Sequence, residues 1–117
     1  MLVTVQGSKS FNDYQVFLRG IGTALREISD SEDKEFIIFS AGPKNINEFV
    51  HEFMNINERS LKAYGIKSKI VKIPPSWIEN HINEVDYMLY FSKPKETLPP
   101  IVELAESKDI EVGVYRY

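Results

Sequence analysis

Short apolar runs alternate with amphipathic stretches along the whole chain. Residues 2–6 (Leu-Val-Thr-Val-Gln) and 36–40 (Phe-Ile-Ile-Phe-Ser) read as buried strands. Residues 68–73 alternate and make a third strand, residues 86–91 a fourth and 110–116 a last one. Between the first two, Tyr14, Phe17, Leu18, Ile21, Leu25 and Ile28 recur at helical spacing, with Asn12 as cap and Gln15 as its capping-box partner. Gly20 and Gly22 lie inside this helix, where glycine is costly, and close packing against a sheet accounts for them. Residues 29–35 are a polar turn. A second helix opens at Asn45, with Glu48 as its box partner. Its apolar stripe is Ile46, Phe49, Val50, Phe53, Met54, Leu61 and Tyr64, and Gly65 stops it. Pro74 and Pro75 break the third strand. Residues 76–84 then form a loop with one short helical turn carrying Trp77 and His81. Thr97 caps the third long helix, whose first turn tolerates Pro99 and Pro100. This order, β-α-β-α-β-(short)-β-α-β, predicts an α/β fold: a three-layer sandwich on a mostly parallel sheet of about five strands, as one domain over residues 1–117.

Composition narrows the function classes. A 43% apolar content supports a real core, and a net charge of -3 argues against a nucleic-acid partner or an anionic membrane. No run approaches the roughly 18–20 apolar residues of a membrane span. With no cysteine, disulfides, thiolate nucleophiles and cysteine metal sites are excluded, and a cytoplasmic location is expected with no signal peptide. The Ile-, Lys- and Asn-rich composition fits an AT-rich genome such as that of a bacteriophage.

The loops carry the chemistry. Gly7-Ser8-Lys9-Ser10 follows the first strand, Ser40-Ala41-Gly42-Pro43-Lys44-Asn45 the second, and Ser92-Lys93-Pro94-Lys95-Glu96-Thr97 the fourth. In a parallel sheet all three meet at the carboxyl ends of the strands, where α/β folds bind ligands. Small residues let a ligand reach the backbone, while lysines and a helix N-terminus favour an anion. The candidate ligand-binding residues are therefore Gly7, Ser8, Lys9, Gly42, Lys44, Asn45, Ser92 and Thr97, with Trp77 as a lid over an aromatic group or a core residue. Pro43 removes an amide that a phosphate cradle would use. His51 and His81 have no metal-ligand spacing, so no metal and no cofactor are expected. Among Asp13, Glu48, Asp86 and Glu103 no acid–base pair stands out, and Asp86 falls at the far end of its strand.

Nearly the whole chain resembles the SLOG superfamily of Rossmann-like domains, and within it the small YspA-like proteins. Gly7-Ser8-Lys9-Ser10-Phe11-Asn12-Asp13 is similar to that family's Gly-Ser-Arg-x-Phe-x-Asp, with lysine for arginine. Ser40-Ala41-Gly42-Pro43-Lys44-Asn45-Ile46-Asn47 lacks the glycines and the aspartate of its second motif, and of its Ser-x-Gly-Thr only Thr97 remains. The resemblance implies a protein that binds a nucleotide or another phosphorylated nucleoside derivative. Lys9 and Lys44 would meet the phosphate, Ser8 and Thr97 would supply hydrogen bonds, and Trp77 would cover the base. Two other readings stay open: a protein-interaction module or viral effector with a decayed pocket, and a hydrolase of the N-glycosidic bond of nucleotides. A homodimer is expected, with Tyr115-Arg116-Tyr117 as contact surface.

Overall fold

The computed structural model describes residues 1–30, 32 and 34–117. Five strands, β1 (Leu2–Gly7), β2 (Glu35–Ser40), β3 (Lys67–Lys72), β4 (Tyr87–Ser92) and β5 (Glu111–Arg116), form one sheet in the order β3-β2-β1-β4-β5. Every neighbouring pair is parallel, and β1 sits at the centre, Val3 opposite Ile38 of β2 and Val5 opposite Leu89 of β4. Four helices cross between the strands: α1 (Tyr14–Ser29), α2 (Lys44–Ala63), α3 (Pro75–Asn80) and α4 (Pro100–Ser107). A 3₁₀ turn, Ile82–Glu84, follows α3. The chain is thus a three-layer Rossmann-like α/β sandwich.

Strand alternation decides which helix covers which face. Val3, Val5, Phe36, Ile38, Leu89 and Phe91 point to one side, where Phe17 and Ile21 of α1 and Ile46, Val50 and Phe53 of α2 close on them. Met88 and Tyr90 point to the other side, against Ile78 of α3 and Val102 and Ala105 of α4. Full burial of one Phe or Ile side chain contributes about 1.5–3 kcal/mol, so these two clusters supply most of the driving force.

Several local expectations are corrected. The cap of α1 is Asp13, whose side chain accepts from the Val16 amide; Asn12 is exposed, one residue too early. Helix α2 starts at Lys44 behind Pro43 with no side-chain cap, so Asn45 is not its cap, and Glu48 pairs weakly with Lys44 at 3.9 Å instead of closing a box. Helix α4 starts at Pro100 behind Pro99, also without a side-chain cap, which leaves Thr97 outside it. A β-carbon on Gly20 would press into Phe91, so close packing holds there, but Gly22 has open space in that direction. Tyr64 ends the apolar stripe of α2 in sequence yet is 81% exposed, while Phe49 is half-buried and packs against the rings of Phe11, Tyr14 and Phe17. The stop at Gly65 holds: it takes a positive φ of 79°, the Ile66 amide donates to the Leu61 carbonyl and the Gly65 amide to that of Lys62. The polar turn at 29–35 includes residues 31 and 33, which lie outside the described residues.

Candidate functional site

In this strand order the chain first moves from β1 outward to β3, then returns past β1 to β4 and β5. The reversal falls between β1 and β4, and the crevice beyond their carboxyl ends is the natural ligand position of an open parallel sheet. A cleft of about 800 Å³ lies there, lined by Ser8, Lys9 and Ser10 from the loop after β1 and by Lys93, Pro94, Lys95 and Glu96 from the loop after β4. All three lysines are exposed at the rim. An entering anion meets three ammonium groups against one carboxylate.

The loops are held by contacts between residues distant in sequence. Phe11 is fully buried and stacks on Phe91 at 4.6 Å between ring centres, which pins the middle of the β1 loop to β4. The Asn45 carboxamide donates to the carbonyls of Phe11 and Lys9, tying the start of α2 to the same loop. On the other side, the Arg116 guanidinium donates to Ser92 Oγ at 2.8 Å, to the Lys93 carbonyl at 2.7 Å and to the Glu96 carbonyl at 2.8 Å. Ser92 is fully buried, so it shapes the loop from beneath.

Ser8 and Glu96 join the two loops. The Ser8 hydroxyl donates to Glu96 Oε2 at 2.5 Å, and the Lys93 amide donates to the same oxygen at 3.3 Å. The Ser8 bond, the largest influence, holds this carboxyl below its ordinary range; desolvation opposes it, and the Lys93 amide and the nearby Lys93 and Arg116 charges add smaller lowering effects. It is therefore ionised at neutral pH, and the charge-assisted tie weakens only when acidification falls through that lowered value. Ser8→Ala is expected to raise the Glu96 pKa toward the ordinary glutamate value, read from a side-chain carboxyl NMR titration. An unchanged titration would show that the hydroxyl does not hold the carboxylate.

A second cleft, of about 910 Å³, opens on the α3/α4 face of the same edge. Gln6 and Tyr90, side by side in register, lie at its sheet side, and Ala41, Gly42, Pro43, Pro75, Pro100 and Leu104 are among its walls. Lys9 lines both clefts, and also a smaller one with Pro43, Lys44, Asn45 and Glu48.

The predicted residues thus separate. Gly7, Ser8, Lys9, Gly42, Lys44 and Asn45 gather around these three clefts. Trp77, Ser92 and Thr97 are not among the lining residues: Trp77 sits edge-on to Phe39 at 4.6 Å and stacks on His81 at 4.1 Å, Ser92 is buried beneath its loop, and Thr97 is exposed. Two electrostatic expectations change. The loop 8–13 separates Lys9 from α1, and the carboxylate of Asp13 caps that helix, so its N-terminus adds no free positive end to the site. The Gly42 amide already donates to Asn47 Oδ1 at 2.9 Å, which leaves the β2 loop poor in donors for a phosphate. Gln6, Tyr90, Glu96 and Arg116 were not foreseen. Only Gln6 left a signal, as a polar residue closing an apolar strand. Asp86 lies at the opposite edge, where it accepts from the Leu2 amide at 2.7 Å.

Among the described residues no helix is long and apolar enough to cross a membrane, and no group of three or more acidic or histidine side chains is placed to hold a metal. Neither a scan against protein-family models nor a search of curated proteins finds a match to this chain.

Proposed function

We propose that this protein binds a nucleotide, or another phosphorylated nucleoside derivative, with the phosphate in the cleft between the β1 and β4 loops. One observation carries the reading: at the crossover point of the sheet, Lys9, Lys93 and Lys95 from two loops surround a cleft of ligand size. The resemblance of residues 7–13 to the SLOG loop supports it, since that motif supplies Gly7, Ser8 and Lys9. Ser8 has one proton to give, so its hydroxyl would exchange its Glu96 partner for a phosphate oxygen. Glu96, held ionised, suits accepting hydrogen bonds from sugar hydroxyls and not giving up a proton. Binding, for sensing or delivery in the cytoplasm, therefore fits this edge better than hydrolysis.

The test is a thermal-shift screen against nucleotides, followed by calorimetric titration of the best binder with wild type and Lys9→Ala. Lys9 is exposed, so the substitution is expected to change stability by about 0.5 kcal/mol or less. It is expected to weaken binding about tenfold, the loss of roughly 1.4 kcal/mol from one charge-assisted contact. Equal affinities would remove Lys9 from the site. No binding by wild type would end the nucleotide reading, and the protein-interaction reading would take its place.

A further inference from the structure

Among the described residues that line the first cleft, Glu96 is the one acid beside Lys9, Lys93 and Lys95. Its Oε2 accepts from the Ser8 hydroxyl at 2.5 Å and from the Lys93 amide at 3.3 Å. One donor belongs to the β1 loop and the other to the β4 loop, so a single oxygen is held from both walls. The turn at 93–96, in which the Glu96 amide donates to the Lys93 carbonyl at 3.2 Å, folds the side chain back onto its own loop. A hydroxyl and a backbone amide converging on one oxygen among ammonium groups form a donor set that also suits a phosphate oxygen. The depressed pKa of Glu96, caused chiefly by the Ser8 bond, has the same origin. The fold has other ties between these loops. The Ser8 amide donates to the Phe91 carbonyl at 2.9 Å, Phe11 stacks on Phe91, and Arg116 holds the β4 loop through Ser92 and the Lys93 and Glu96 carbonyls.

We propose that Glu96 is an internal occupant of the anion site: its carboxylate stands where a phosphate oxygen of the ligand would stand, and binding exchanges one anion for the other. The inference rests on the phosphate reading of this cleft and adds how that site is held in check. Ser8 serves one of the two anions at a time, and two anions at the same donors repel each other. Apparent affinity therefore falls by the fraction of molecules whose donors are free. If about a tenth are free, the loss is about tenfold. Displacement by the ligand also releases the carboxylate to accept from sugar hydroxyls.

Calorimetric titration with pyrophosphate tests the exchange, because this probe has phosphoryl oxygens and no sugar for the released carboxylate to meet. Glu96→Ala is expected to bind it about tenfold more tightly than wild type. Ser8→Ala then distinguishes exchange from simple removal of a negative charge. In the Glu96→Ala background it is expected to weaken binding about tenfold, the loss of one charge-assisted bond. In the wild-type background it is expected to weaken binding less than about threefold, because the ligand no longer has to break the Ser8–Glu96 bond. A role of Glu96 through charge alone produces no such coupling between the two residues. Equal affinities of wild type and Glu96→Ala, or the same cost of Ser8→Ala in both backgrounds, would overturn the internal occupant and leave the phosphate reading standing. If pyrophosphate binds neither wild type nor Glu96→Ala, the internal occupant falls, and the nucleotide screen alone decides the phosphate reading.

Discussion

Phe91→Ala is expected to lower stability by about 3–5 kcal/mol, the usual cost of emptying a large aromatic site in a closed core. Phe91 is fully buried near the end of β4 and meets rings on several sides. Phe11 stacks on it at 4.6 Å, Phe17 approaches at 5.6 Å and Tyr115 at 5.7 Å, while Gly20 of α1 comes so close that a β-carbon there would lie 2.9 Å from its ring. Few of these groups can collapse into the space left, because each is fixed on a different element. Domains of this kind hold only about 5–15 kcal/mol in total, so the variant would sit near the edge of folding. Urea denaturation measures it: the midpoint should fall with the slope unchanged. Phe91→Leu keeps most of the volume and should recover much of the loss. A loss under about 1 kcal/mol for the alanine variant would mean that the ring cluster is not closed.

Gly7→Ala is expected to cost about 1–3 kcal/mol, the range for overpacking a filled site. The new β-carbon would lie 2.6 Å from the Phe91 carbonyl oxygen and 2.6 Å from Ile46 Cδ1. The isoleucine methyl can turn away, but the carbonyl belongs to the β4 backbone and accepts from the Ser8 amide at 2.9 Å. The strands must therefore part at the seam that sets Ser8 and Lys9 against Lys93 and Lys95. Under the proposed function, affinity for the nucleotide should fall together with stability, in contrast to Lys9→Ala, which should lower affinity alone. Denaturant melts and titrations on the same preparation check both effects. A variant as stable as wild type would show that β1 and β4 are not packed this tightly.

Much of the framework was legible because apolar periodicity is a local property. The runs at residues 2–6 and 36–40 and the helical stripe from Tyr14 to Ile28 can bury their apolar faces in only one type of element each. Parallel pairing followed, since helices between successive strands permit little else. The caps were less legible. Asn12 and Asp13 are both good caps by chemistry, and which one is used depends on where Phe11 is pulled into the core. Asn45 has the look of a cap as well, yet its side chain is claimed by the carbonyls of Phe11 and Lys9 from a loop 34 and 36 residues away. Tyr64 keeps the helical spacing of the α2 stripe but stands just past the last helical residue, Ala63, where its side chain is exposed.

By itself, then, the sequence determined the class of fold, the strand-end edge on which Gly7, Ser8 and Lys9 stand, and the absence of cysteine chemistry. These follow from residue type and short-range spacing, which act before the chain has any tertiary partners. Only the tertiary structure decided which loops become neighbours. It set Ser8 against Glu96 across 88 residues of chain, hung the β4 loop on Arg116 and brought Lys9 to the border of two clefts. The reason is physical: a hydrogen bond or a cleft belongs to a pair of surfaces. Which surfaces meet depends on strand order and crossover direction, and short-range spacing carries neither.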